Sequence, residues 1–334
     1  MRIEWLDSLK GFAIFLVVVG HVVLGYLRAG IFPEYQWSLQ LTHDLIYSFH
    51  MPLFFLISGF LYKLTWSKKN TGIVINIVNK FLNLIPMYLL FSVVFWISKY
   101  YASLYGKIQM SDFFTFSDLM HIYIAPLSYL WFLYVLIWLF VFVPLFESLF
   151  KSLVIFITFL LLYLFLPPVE GIFKVVNSII YGGVYFTLGS VIYTYYESIK
   201  NIISKNLLIV GLISILMASI SFPYTTVHTA FKFVCALGAS SFLAILFFKL
   251  KDRKLITFWN ICGRYSLGIY ILHLYFSSPL RTIFKNLSID NIIVVILLSC
   301  IISTIIPIFI VMFFDRFKIT SWIFGNSKLM KIKA

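Results

Sequence analysis

The chain has 334 residues, of which 62% are hydrophobic, 20% aromatic and only 11% charged. A soluble domain carries roughly a quarter charged residues, so the composition excludes one and points to a polytopic membrane protein. The net charge of +14 does not mark a nucleic-acid binder. The lysines and arginines gather in short runs between apolar segments, as cytoplasmic loops do, and no nucleic acid is expected as a partner.

Apolar stretches of about 20 residues, long enough to cross a bilayer, begin at 8–27 and continue near 41–63, 77–98, 127–146 and 151–167. Five more follow near 175–195, 205–222, 229–249, 258–280 and 291–314. The expected fold is an all-α integral membrane bundle of about ten transmembrane helices. It forms a single transmembrane domain over 1–334 with no appended soluble domain. With the N-terminus inside, eighteen of the 26 lysines and arginines fall at inner ends and six at outer ends. Both termini are therefore expected in the cytoplasm. The long connection near 99–126 is expected either to act functionally or to carry a short helix of its own. Cys235, Cys262 and Cys300 sit in or beside apolar segments at no metal-ligand spacing. They read as small core residues, and neither a disulfide framework nor a metal site is expected.

The first segment carries the most chemistry. Lys10 and His21 stand eleven residues apart in an otherwise apolar helix. At about 100° per residue they share one face, about 16 Å apart along the axis. Asp7 falls on the same side, three residues before Lys10. A charge at the bilayer centre costs on the order of 3 kcal/mol, so such residues by default face a functional interior. Alone, Lys10 reads as a residue snorkelling to the surface, and Asp7 as its partner or a helix-start residue. The shared face with His21 argues for more.

The second segment places His43, Tyr47 and His50 at i, i+4 and i+7, one helical face. Pro52 then frees the Ser48 carbonyl, and Ser58-Gly59 is a small pair that admits a neighbouring helix. The ninth segment repeats the geometry with Ser266, Tyr270 and His273. Counted from the expected helix ends, His21, His50 and His273 all lie about 20 Å above the inner face. Each of these histidines alone is as well read as an interhelical hydrogen-bonder. Their common level is what suggests a site.

Several blocks resemble a known family. Asp7-Ser8-Leu9-Lys10-Gly11-Phe12-Ala13-Ile14 through His21 resembles the opening signature of acyltransferase family 3, an Arg or Lys followed after ten residues by His. Phe49-His50-Met51-Pro52-Leu53-Phe54-Phe55-Leu56-Ile57-Ser58-Gly59-Phe60 is similar to its second-helix block. Trp131-Phe132-Leu133 and Ser266-Leu267-Gly268-Ile269-Tyr270-Ile271-Leu272-His273 are similar to a middle and a late block. They run in family order along nearly the whole chain. The resemblance implies a multi-pass enzyme of the cytoplasmic membrane of a bacterium. It would move an acetyl or other acyl group from cytoplasmic acyl-CoA to a hydroxyl of an exopolysaccharide, capsule or glycan precursor. By the same resemblance His21 is catalytic and Lys10 serves the donor, with acetyl-CoA as a substrate and no permanently bound cofactor. Besides the bilayer, the implied partners are acyl-CoA, the sugar acceptor and glycan-assembly machinery. Lysine replaces the arginine of many relatives, and an ammonium holds phosphate as a point charge without the bidentate fork.

Acyl transfer to a hydroxyl needs a base, and imidazole suits that role near neutral pH. His21 is the expected base, with an acyl-histidine intermediate as the alternative. Tyr270, Ser58 or His50 would donate to the oxyanion, and Asp7, Ser266 and His273 complete the expected supporting set. The sugar would approach past the 99–126 connection. Two rival readings use the same residues. A proton-coupled transporter would relay protons through the midplane histidines, and an inactive polysaccharide-assembly protein would keep the fold alone.

Overall fold

Apolar runs punctuated by glycine, proline and charge fold into helices throughout the computed structural model. It describes residues 3–66, 73–105, 115–142, 149–196, 209, 211–214, 216–217, 229–251, 253–254, 256–317 and 321–324. In chain order the helices are α1 (Glu4–Ala29), α2 (Gln36–Trp66), α3 (Ile73–Tyr105), α4 (Phe116–Met120), α5 (Trp131–Phe142) and α6 (Leu149–Phe165). Then come α7 (Val175–Thr194), α8 (Thr229–Lys249), α9 (Ile256–Arg264), α10 (Ser266–Asn286) and α11 (Ile292–Asp315). No strand occurs among the described residues. The protein is all-α and polytopic: α1, α2, α3, α7, α8 and α11 are long and apolar enough to cross a membrane, and α5 and α6 are shorter apolar helices. The span expected near 205–222 falls largely outside the described residues, and the few placed there are helical.

One expected segment is divided. The stretch 258–280 splits at Tyr265 (φ −100°, ψ 13°) into α9 and α10, and α10 runs on to Asn286. Gly263 and Gly268 flank the break, and glycine is a poor helix former. His273 therefore lies seven residues, about 10 Å, into its own helix, where the undivided segment would put it about 22 Å deep.

The chain forms two compact units. The first holds residues 1–58 and 194–314. Its centre is α1, whose Leu9, Ala13, Ile14, Val17, Val18 and Val22 form a buried stripe and which packs on α8, α9 and α10. The contact with α9 is backbone to backbone. A Cβ at Gly11 would run into the Trp259 carbonyl, and one at Gly263 into the Asp7 carbonyl. Small residues permit this approach where lipid offers no hydrophobic drive for helix pairing. Phe12 seals the seam edge-on to Trp259 at 5.1 Å between ring centroids. Ser8 Oγ donates to the Glu4 and Ile256 carbonyls at 2.9 and 3.3 Å. At its other end α1 closes on Gly30, whose φ of 59° suits a glycine cap. There the Tyr26 hydroxyl meets Ser299 Oγ of α11 at 3.3 Å. On α11, Ser299, Cys300, Ser303 and Thr304 are buried while Leu297 and Phe309 are exposed. The polar, small face turns inward and the greasy face outward, as lipid demands.

The second unit holds residues 59–193 and 315–334. Gly59 in the latter half of α2 lies against the Phe186 carbonyl of α7, the close approach anticipated for Ser58-Gly59. Helix α3 packs along α5. Part of the long 99–126 connection is helical: α3 extends through Tyr105, and α4 is capped by Thr115, whose backbone N–H and hydroxyl donate to Asp118 Oδ2 at 2.6 and 2.8 Å. Residues 106–114 are outside the described set. The three cysteines are unbridged and buried.

Candidate active site

Three helices of the first unit deliver the polar residues. α1 is unbroken from Glu4 to Ala29, so Lys10 and His21 do share one helix and stand about 16 Å apart along it. α2 contributes His43, Tyr47 and His50 on one face, and α10 contributes Tyr270 and His273. The His21 and His273 rings lie 5.1 Å apart between centroids. The Tyr47 hydroxyl reaches His21 Nδ1 at 3.5 Å, and the Tyr47 ring packs on His50 at 4.7 Å and on His43 at 4.0 Å. The level inferred from helix counting is thus a physical cluster, although the depth assigned to His273 is revised.

Exposure separates the three central histidines. His50 and His273 are buried, at 2% and 0% exposure, whereas His21 is half-buried. Of the three residues, His21 is the one that keeps some exposed surface. Gly20 helps to set it in place, because Tyr47 packs closely over that position.

Hydrogen bonds fix the tautomers of the buried pair. His50 Nδ1 lies 2.7 Å from the Ile46 carbonyl, and His273 Nδ1 lies 2.7 Å from the Tyr270 carbonyl and 3.2 Å from that of Ile269. A carbonyl only accepts, so Nδ1 carries the proton and donates in both rings. In the neutral form each Nε2 then bears a lone pair and is an acceptor. Neutral His50 is therefore unsuited to the oxyanion-donor role considered for it. His43 Nδ1 and Gln40 Nε2 both reach Asp44 Oδ1, at 2.9 and 2.8 Å, and Asp44 is buried. Through the stacked His43 and Tyr47 rings, this carboxylate anchors the support behind His21.

The remaining expected residues lie apart from the cluster. Lys10 pairs with Asp7 at 3.7 Å, one turn along α1. Ser266 is buried at the start of α10, seven residues from His273. Ser58 is half-buried and eight residues, about 12 Å, along α2 from His50. Tyr270 is buried, with its ring 6.4 Å from that of His273. Of two basic residues that could join Lys10 at a coenzyme head group, Lys254 is exposed just before α9 and Lys68 is outside the described residues. No group of three or more His, Cys, Asp or Glu suited to a metal ion occurs among the described residues.

Tyr47 is the contact that reasoning from sequence passed over. The i, i+4, i+7 stripe already contained it, but a tyrosine between two histidines reads first as packing. Its role is visible only once α2 is laid against α1.

Residues 3–312 match the family model described as an acyltransferase domain, that of acyltransferase family 3. No curated protein and no solved structure matches the chain. The ordered blocks, the helical membrane architecture and this match over nearly the whole length agree: the chain belongs to acyltransferase family 3 and is a membrane acyltransferase.

Proposed function

We propose that the protein is an O-acetyltransferase of the cell membrane, with both termini in the cytoplasm. It carries an acetyl group from cytoplasmic acetyl-CoA to a hydroxyl of a bacterial cell-surface polysaccharide or its precursor. The observation that carries this reading is the half-buried His21, held by Tyr47 and backed by His273, on the same unbroken helix as Lys10.

In the tautomer whose Nδ1–H donates to the Tyr47 oxygen, His21 Nε2 keeps its lone pair for the acceptor hydroxyl. As the hydroxyl oxygen forms its bond to the thioester carbonyl carbon, His21 takes the proton. The C–S bond then breaks, and the departing thiolate takes that proton back, so CoA leaves as the thiol. A neutral imidazole suits this transfer. The His273 ring packs on His21 at 5.1 Å between centroids and holds the imidazole in place. Lys10 lies about 16 Å away, comparable with the reach of an extended pantetheine arm. It meets the phosphates of the coenzyme as a point charge. Tyr270, whose ring faces that of His273 on α10, is the candidate oxyanion donor.

Isolated membranes incubated with radiolabelled acetyl-CoA test this reading. Label should enter surface-glycan material with wild-type protein and fail to enter with His21→Ala at equal protein level. A transporter, or an assembly protein without activity, would give no labelled glycan with either, and that result would overturn the proposal.

A further inference from the structure

Two arginines at the end of α1 remote from Lys10 have no part in the chemistry above. Arg28 lies seven residues after His21, returning to the same helix face within about 20° and about 10 Å further along. It is exposed, and its charge is felt at both His21 and Tyr47. Arg281 reaches the same region from α10. Its guanidinium lies across Gly25, where a Cβ would meet Nη1. Gly25 is one turn, about 6 Å, beyond His21 on that face. Arg281 is itself only half-exposed, and the Tyr26 phenol lies within electrostatic reach of it.

Neither arginine pairs with a carboxylate among the described residues. Among the described residues the ion pairs are Lys10–Asp7 and His43–Asp44. Glu34 and Asp290, the acids of the adjacent connections, pair with neither arginine. A guanidinium drawn part-way into a membrane protein is costly unless an anion meets it. Its planar fork matches carboxylate and phosphate oxygens. A glycine at position 25 leaves the room in which that fork lies beside the path to His21.

We infer that Arg28 and Arg281 form an anion subsite that takes a phosphate or carboxylate of the acceptor, about 6–10 Å from the hydroxyl acylated at His21. This rests on the acyl-transfer reading and narrows it: the acceptor is an anionic glycan, either a sugar carried on a phosphate or an acidic sugar. The anion holds the acceptor at the arginines while its hydroxyl meets the imidazole. Donor and acceptor are thereby bound by cations at opposite ends of one helix.

Arginine footprinting with phenylglyoxal on the purified full-length protein, read by peptide mass spectrometry, tests the subsite. The probes are inorganic pyrophosphate, glucuronate, glucose and acetyl-CoA, each against sodium chloride at matched ionic strength. An anion at ten times its Kd should slow modification of Arg28 and Arg281 about tenfold, because only the free fraction reacts. The exposed Arg316 should keep its rate. Protection by pyrophosphate alone identifies a phosphate-linked acceptor, and protection by glucuronate alone identifies an acidic sugar; both support the subsite. Arg281→Gln should remove protection at Arg28, and Arg28→Gln, at an exposed position that folding tolerates, should remove it at Arg281. Equal protection by glucose, no protection by either anion, or protection by acetyl-CoA alone would each overturn the proposal. Thioester turnover in the same preparation separates the two ideas. Turnover without anion protection removes the subsite and leaves the enzyme, whereas protection without turnover does the reverse.

Discussion

Gly11 and Gly25 lie on the same helix, yet the space beside them is filled in opposite ways. At Gly11 the neighbour is the Trp259 backbone of α9, which cannot move without moving the helix. At Gly25 it is the tip of the Arg281 side chain, which can swing aside. The Lys10 end of α1 is thus a rigid seam whose cation is already paired with Asp7. The Arg28 end is adaptable, and its cations have no carboxylate among the described residues. One helix therefore combines a fixed platform, a reactive middle and an open far end. This division suits an enzyme that must seat a donor repeatedly and admit a larger acceptor.

The difference can be broken at several points. Gly11→Leu should have the largest effect, since overpacking typically costs about 1–3 kcal/mol and here the clash is with backbone. Size-exclusion chromatography should show loss of monodisperse protein, and a well-behaved peak would mean the seam is not rigid. His21→Ala should keep that peak while lowering acetyl transfer by about 10²–10⁴-fold, the usual value of a positioned base. Lys10→Ala should raise KM for acetyl-CoA about tenfold or more, as expected for a lost charge-assisted bond of about 1.5–3 kcal/mol. Unchanged KM would reduce Lys10 to a partner of Asp7. Tyr47→Phe deletes the bond to His21 and should lower kcat about two- to tenfold, with KM for acetyl-CoA unaffected. Gly25→Ala should be mildest for folding, because Arg281 can rotate and alanine is the better helix former by about 1 kcal/mol. A Tm within a few degrees of wild type is expected, and a collapse like that of Gly11→Leu would erase the contrast between the two ends.

Much of the fold was legible from hydropathy, because apolar length and helical period are properties of each segment alone. The division of 258–280 was not, since Gly263 is called for by Asp7 on another helix and not by its own neighbours. Within the site, the shared face of Lys10 and His21 followed from spacing. So did the stripes on α2 and α10, because the helical period brings each set to one side. The tautomers of His50 and His273 depend on which carbonyl each ring meets, which spacing leaves open. Tyr47 and Arg281 depend on how α2 and α10 lie against α1. The stripe on α2 names Tyr47 but not its contact with His21, and Arg281 reads from sequence as one outer charge among six.

Acetylation of a cell-surface glycan should depend on His21 as the base. Mass spectrometry of surface glycans from three strains tests it most directly: wild type, a deletion, and the deletion complemented with His21→Ala at wild-type protein level. The account predicts that one acetyl mass disappears from the same sugar in the deletion and stays absent with His21→Ala. An acetyl pattern restored by His21→Ala would contradict it.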